Sequence, residues 1–487
     1  MSPTIEALAS RLRGELGDDA VLTDRQQLRT YECDGLAHYK VTPAVVVLPQ
    51  TTAQVAAVVR ACNDLDVPYV ARGSGTGLSG GALPHAEGVL LVTSQMRDIL
   101  EVDATNQRAV VEPGVINLQV TKAAAPDGYY YAPDPSSQQI CSIGGNVAEN
   151  SGGAHCLKYG FTTNHVLGVE LVAPDGEVVR LGGKAPDPPG YDLMGAFVGS
   201  EGTLGIATEV TVRLMRAPEE VRTLLAAFPS TDEAGGAVSA IIGAGVVPAA
   251  IEMMDALAIE AAEAAVHCNY PKGAGAVLVV ELDGPAPEVE AQFGQVEKHC
   301  RDNAATEIRI ATDDAERALF WKGRKSAFAA VGRISPDYIV QDGVIPRTAL
   351  PDVLRRIAAI SEESGVRVAN VFHAGDGNLH PLVLFDDGVP GQAEAAEKVS
   401  GAILDICIEY GGSITGEHGV GMDKAKYMPR MYTDDDLDTM QMLRCAFDPR
   451  NLSNPGKVFP TPRLCGEVPG RHKGPHPLQQ AGLAEVF

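Results

Sequence analysis

The apolar positions of this chain follow two rhythms. From about residue 42 to 216, short apolar runs alternate with glycine-rich turns and helical stretches, beginning with AVVVLP at Ala44 to Pro49, which reads as a strand. The next segment, TTAQVAAVVRACNDLD, places Thr at a helix N-cap and repeats apolar residues at helical spacing, so it predicts a helix. VPYVAR then reads as a short strand that opens into Gly73, Gly75, Gly77, Gly80 and Gly81. After RAPEEV, near residue 217, the texture changes: apolar strands such as TLLAAF and AVLVVEL alternate with alanine-rich helical stretches such as DEAGGAVSAIIGAGV. That order predicts an α+β unit whose sheet covers one face of the first half. The N-terminal MSPTIEALASRLRGELG reads as an amphipathic helix of mixed charge, not as a basic and apolar leader.

A length of 487 residues exceeds what a single hydrophobic core usually supports, so two or more domains are expected. The balance of 39 basic against 63 acidic residues, a formal charge of -24, argues against nucleic acid or an anionic membrane as the main partner. An anionic substrate therefore needs a local basic pocket. No apolar run reaches membrane-spanning length. Nine cysteines without a CxxC pair fit reduced thiols better than a disulfide framework, and they supply no ligand set for an iron–sulfur cluster.

Two kinds of segment carry chemistry. A backbone so rich in glycine as Gly73 to Gly81 approaches something closely or adopts positive φ, and its successive N–H groups can form an anion-binding concavity suited to a pyrophosphate. It is not a Walker loop, because no GK[ST] follows, and its spacing does not match the nicotinamide fingerprint. Tyr130 to Gly153, Tyr159 to Val179 and Phe197 to Leu214 add further glycine and proline turns fit for a large cofactor lying across this half. Near the other end, HAGDGNLH sets His373 and His380 seven residues apart, and GEHGVG sets Glu417 beside His418. Any one of these histidines is an ordinary loop residue, yet three of the chain's eleven histidines fall in these two segments. Two imidazoles and a carboxylate suit an open divalent-cation site, with the remaining imidazole free to take a proton. The donor set suits zinc and also admits manganese, iron or cobalt. A metal hydrolase would use the same donors.

The order of motifs, from YECDGL through RGSGTGLSGGALP, APDPSS, CSIGGNVAEN, HCLKYG and GSEGTLG to VGRISPDY, NVFHAGDGNLHP, GGSITGEHGVG and NPGK, resembles the flavoproteins of the vanillyl-alcohol-oxidase type, whose FAD domain is shaped like that of para-cresol methylhydroxylase. Within that family the chain resembles the group of flavin-carrying D subunits of bacterial glycolate oxidase, with D-lactate and D-2-hydroxyglutarate dehydrogenases more distant. The resemblance implies an α+β, two-domain flavoprotein: a helical segment over 1–40, an FAD-binding domain over 41–217, a cap with antiparallel sheet and metal site over 218–457, and a Pro/Gly-rich tail over 458–487. That tail, which contains RHKGPHP, reads either as an extension touching a partner or as a disordered end, and His472 and His476 lack ligand spacing.

The resemblance also assigns residues. Arg72, Gly73, Ser74, Gly75, Thr76, Gly77, Ser79 and Gly80 would cradle the FAD pyrophosphate. Pro133, Asp134 and Ser137, with Gly144, Gly145 and Asn146, would line the flavin and its phosphates, and Glu201, Gly202 and Ile206 would hold the far end of the dinucleotide. No histidine lies between Arg72 and Gly81, so the FAD is expected to be non-covalent. In FWKGRKSAF, Arg324 would receive a substrate carboxylate, since a guanidinium pairs with it in bidentate fashion, while Lys322 and Lys325 stay on the surface. His373, His380 and Glu417 would hold the cation, His418 would act as base, and Asp376 and Asn378 would shape the turn between the two ligands. A 2-hydroxy acid would then lose its C2 hydride to flavin N5. Leu382 stands where the D-2-hydroxyglutarate enzymes place an asparagine, which points to a shorter acid such as glycolate, with D-lactate the alternative. Electrons would leave through a second flavin-type subunit and an iron–sulfur subunit toward quinone. The expected location is cytoplasmic, with attachment to the inner membrane only through those partners.

Overall fold

The computed structural model describes residues 2–185 and 189–460 of the chain. The tail residues from 461 onward, including His472 and His476, lie outside the described residues.

Two larger sheets and a two-stranded ribbon, Tyr129–Tyr130 with Met215–Arg216, build the described residues of the first half. Val45–Val47 runs parallel to Val89–Val92, which runs parallel to Tyr69–Arg72, and Val21–Leu22 adds an antiparallel edge. The link between the first and third of these strands is the expected helix, Thr52–Leu65, whose N-cap Thr51 accepts from the Gln54 amide. Its apolar stripe, Val55, Val58, Val59 and Cys62, meets Ile5, Leu8 and Leu12 of the N-terminal helix Pro3–Leu16 in one core. The second sheet is antiparallel, in the order Ile99–Asp103, Arg108–Val111, Ile206–Arg213, Val166–Val172, Val178–Gly182. Between its last two strands the expected turn at Asp175 and Gly176 forms, with Gly176 at φ 88° and the Asp175 carboxylate accepting from the Glu177 amide.

From residue 220 onward a nine-stranded antiparallel sheet dominates, as the alternation of apolar strands and alanine-rich helices predicts. Its centre is Glu220–Phe228, Ala276–Gly284, Ala250–Asp255 and Val368–His373. Helices Thr231–Gly243, Ala286–Asp302 and Leu350–Ser364 bury Val238, Ile241, Val289, Phe293, Val353 and Ile357 against one face. Helices Ala256–Val266 and Asp314–Val331 bury Ile259, Ala262, Phe320 and Ala327 against the other.

The chain then returns to the first half. The Tyr69 amide donates to the Leu452 carbonyl, and Asn454 donates through Nδ2 to the carbonyls of Gly81 and Glu201. Lys457 Nζ donates to the Leu83 carbonyl at 3.0 Å. NPGK therefore packs under the glycine-rich loop, far in sequence from the strands it joins. Among the described residues no helix is long and apolar enough to cross a membrane. Among the described residues seven cysteines are free thiols, but Cys445 is disulfide-bonded, which corrects the expectation of reduced thiols at that position.

Candidate active site

A cavity of about 1420 Å³ lies between the halves. Arg72 to Gly77, Ser137, Gly144 to Asn146, Glu201, Gly202 and Ile206 line it from the first half, and Phe328, His380, Glu417 and His418 from the second. The first wall is made mostly of backbone. A Cβ at Gly73 would meet Ser142 Oγ at 2.0 Å and Ser142 Cβ at 3.3 Å, so a side chain there would force Ser142 to move. Asn146 Nδ2 and Ser142 Oγ are buried on this wall without a protein partner, donors of the kind a dinucleotide would satisfy.

Several residues expected to hold the cofactor have partners within the protein, and some of them lie outside the lining. Arg72 is buried and spends Nε and Nη2 on the Ala82 carbonyl, at 3.2 and 2.7 Å, so its guanidinium braces the glycine loop. Ser79 and Gly80 lie behind the lining, where the Ser79 carbonyl accepts from the Met422 and Asp423 amides. Pro133 and Asp134 also fall outside it. The Pro133 carbonyl accepts from Asn117 Nδ2, and Asp134 pairs with His155 Nδ1 at 2.8 Å. His155 Nε2 reaches Glu281 Oε1 of the second half at 3.2 Å, making this trio a bridge between halves.

The second wall is made of side chains. Val368–His373 and Asn378–Phe385 form a hairpin, with His373 opposite Asn378 and Asn370 opposite Pro381. The Asn378 amide donates to Asp376 Oδ1, so Asp376 and Asn378 shape the turn between the two histidines, and burial pushes the Asp376 carboxyl up to about 6. His373 Nε2 and His380 Nε2 each lie 3.3 Å from Glu417 Oε1. The three donor atoms fall within 4.8 Å of one another. His373 Nδ1 lies 2.7 Å from Glu252 Oε1, which orients the ring and leaves Nε2 toward Glu417. Both His380 nitrogens and Glu417 Oε2 are buried without hydrogen-bond partners. Such crowding of unsatisfied donors is what a cation would relieve, so these residues fit one.

His418 stacks on His380 at 4.9 Å with the rings 3° from parallel. Burial depresses its pKa to about 4, overcoming the opposing pull of Asp342, so the ring is neutral at pH 7 and able to accept a proton. Burial would raise the Glu417 carboxyl, but His373 and His380 outweigh it and hold the group at about 2.

Sequence patterning passed over two carboxylates that set this geometry. Asp342 is fully buried and accepts from the amides of Gly416, Glu417 and His418 and from Lys424 Nζ at 3.0 Å. Glu252 orients His373 and pairs with Arg324 Nε at 2.7 Å. In sequence, Asp342 reads as a turn residue before glycine; the one available signal for Glu252 was an acid inside the apolar run AAIEMM. Arg324 thus sits behind His373 and is absent from the cavity lining, whereas Lys325 and Phe328 of the same helix are on it. Lys325 is exposed, as expected of a surface charge, and also lines the cavity. Leu382 is packed with Ala369 and Leu384 in the core and does not line the cavity, so it does not limit substrate length by contact.

A mixed-sheet domain with a glycine-rich loop, capped by an antiparallel sheet across a shared cavity, is a two-domain fold of the vanillyl-alcohol-oxidase type. A crystal structure of p-cresol methylhydroxylase with substrate bound superposes at a TM-score of 0.78, at 18% identity, covering 94% of this chain and 97% of that one. Residues 43–182 match the FAD binding domain family, and residues 217–458 match the family of FAD linked oxidases, C-terminal domain. The chain belongs to the FAD-linked oxidase family. It is 51% identical over 452 residues to the glycolate oxidase subunit GlcD of Escherichia coli strain K12, covering 93% of this chain and 91% of that protein. It is 41% identical over 430 residues to the glycolate oxidase subunit GlcD of Bacillus subtilis, covering 88% and 92%.

Proposed function

We propose that this chain is an FAD- and metal-dependent 2-hydroxy-acid dehydrogenase that oxidises glycolate to glyoxylate, with D-lactate to pyruvate as a secondary reaction. The observation that carries the reading is that His380, Glu417 and His418 line a cavity whose opposite wall is the glycine-rich loop, with His373 clustered on His380 and Glu417. Bound FAD would accept the C2 hydride, and a divalent cation on His373, His380 and Glu417, zinc by donor type, would make the neighbouring hydroxyl acidic near neutral pH.

The chain's own residues do the rest. His418, neutral and stacked on His380, takes the hydroxyl proton. Glu252 keeps His373 in one tautomer, and Asp342 fixes the backbone from Gly416 to His418. The exposed Lys325 supplies a positive charge on the cavity wall for the acid's carboxylate, and Arg324, paired with Glu252 behind the lining and with Nη2 buried without a protein partner, adds a fixed positive charge to the field there. With the hydroxyl proton on His418 and the C2 hydride on FAD, the carbinol carbon would be left as a carbonyl, charge and electrons balanced.

Electrons taken up by bound FAD would leave through a second flavin-type subunit and an iron–sulfur subunit toward quinone, the whole sitting on the cytoplasmic side of the inner membrane. The word "subunit" in the names of both relatives supports a multi-chain assembly. Anaerobic mixing of the purified flavoprotein with glycolate, D-lactate, L-lactate and D-2-hydroxyglutarate tests the reading. Bleaching of the flavin band fastest with glycolate, and its loss after chelation, is the expected result. Faster bleaching by D-lactate would make that acid the substrate, and no bleaching by any of the four would sink the assignment.

A further inference from the structure

Glu201 stands at a junction that its proposed cofactor role does not explain. It belongs to the GSEGTLG turn and adopts φ 53°, a left-handed conformation uncommon for a residue with a side chain. Its backbone is pinned on both sides: the amide donates to the Ala148 carbonyl, and the carbonyl accepts from Asn454 Nδ2 at 2.6 Å. The carboxylate is buried near that of Glu149, and both of its oxygens accept from the second half. Oε1 accepts from the Val420 amide and Oε2 from the Gly421 amide, each at 2.7 Å.

Those two amides end the loop that carries Glu417 and His418. The start of the same loop hangs from Asp342, which takes the amides of Gly416, Glu417 and His418. Two buried carboxylates, one from each half, therefore hold the loop at its two ends with His418 between them. Gly419, at φ 82°, closes the space: a Cβ there would meet Glu149 Oε2 at 2.1 Å and Glu201 Oε1 at 2.9 Å. Glu201 also lies on the cavity's first wall together with Gly202 and Ile206.

We propose that Glu201 is a positioning residue which ties the His418 loop to the FAD-binding half and so sets the distance between the base and the flavin wall. A charge-assisted pair of N–H bonds to one carboxylate is a stiff, geometrically specific tie. The inference rests on the reading of His418 as the base and of Glu417 as a cation ligand.

The test uses the full-length flavoprotein and its Glu201→Gln variant, with three readouts: flavin content, cobalt(II) titration followed by visible absorbance, and the rate of anaerobic flavin reduction by glycolate. The amide side chain keeps one acceptor and turns a donor toward the other N–H, so the loop shifts without loss of bulk. Flavin content is expected to stay at the parent level. Cobalt affinity is expected to fall about tenfold, as for other residues that orient ligands. Flavin reduction is expected to slow by ~10 to 100-fold with little change in the glycolate concentration for half-saturation, the cost of a small misplacement. Gly419→Ala, which pushes the loop from the other side, is expected to give the same pattern. Loss of flavin from folded Glu201→Gln would return Glu201 to the cofactor and overturn the proposal, as would cobalt affinity and reduction rate equal to the parent's. If the parent itself is not reduced by any 2-hydroxy acid, the functional reading fails, and the cobalt titration still decides the role of Glu201.

Discussion

The two walls of the cavity are built by opposite means. The first half presents backbone: glycines, a proline turn and small side chains, with Arg72 folded back on the Ala82 carbonyl. The second half presents charged side chains in a nearly dry setting, where Glu252, Asp342, Lys424 and Arg324 are buried and paired among themselves. A backbone wall fits a large, fixed ligand by shape, and the cost of error there is steric. A charged wall works by mutual orientation, because a buried charge that loses its partner costs ~3 to 5 kcal/mol. Single substitutions in the two walls should therefore fail differently, the first by losing cofactor and the second by losing chemistry with cofactor in place.

The sharpest break is His418→Ala. Turnover with glycolate is expected to fall by about 10² to 10⁴-fold, the usual contribution of a placed proton acceptor, while the flavin spectrum is kept. Equal loss of flavin would show that the second wall also holds the cofactor. The opposite break is Gly73→Val, whose Cβ lands on Ser142 Oγ. Purified protein should be largely colourless, and normal flavin content would refute the backbone-wall account.

A milder probe of the charged wall is Glu252→Gln. The amide still fills the space but no longer balances Arg324, and it weakens the hold on His373 Nδ1. Cation affinity measured by equilibrium dialysis should drop about 10 to 100-fold with flavin content unchanged. Unchanged affinity would mean that His373 needs no partner to face Glu417.

The smallest effect concerns the seam between the walls. Burial would depress His155, but the Asp134 and Glu281 carboxylates on its two ring nitrogens outweigh it and hold the pKa at about 10. In the unfolded chain the imidazole returns to about 6.5. Because the folded value is the higher one, the stabilisation is complete below about 6.5 and is lost as pH rises toward 10. The unfolding midpoint should fall by a few degrees across that window, and His155→Gln should flatten the slope. An identical slope in the variant would remove His155 from the seam.

How much of this could be read from the chain differs by wall. The glycine loop, the Thr51 cap, the turn at Asp175 and the change of texture near residue 217 all depend on neighbours in sequence, and the structure has each in place. The four residues His373, His380, Glu417 and His418 were visible because histidines are scarce and these fall in two short motifs. Their supports were not: Glu252 precedes His373 by 121 residues, and Asp342 is 76 residues from His418. An acid in an apolar strand carries no mark of which charge it will meet.

By itself the sequence determined the periodicities of its helices and strands, the glycine positions where backbone must come close, and the identity of the groups able to bind a cation or move a proton. Only the tertiary structure decided which of those groups meet. It sent Arg324 behind His373, turned Arg72 and Asp134 to bracing roles, brought Lys325 onto the cavity wall and hung the His418 loop between Asp342 and Glu201. The physical reason is that local pattern reports what neighbours along the chain prefer, whereas a buried charge is placed by the partner that offsets its desolvation, and that partner is chosen by how the sheets and helices pack.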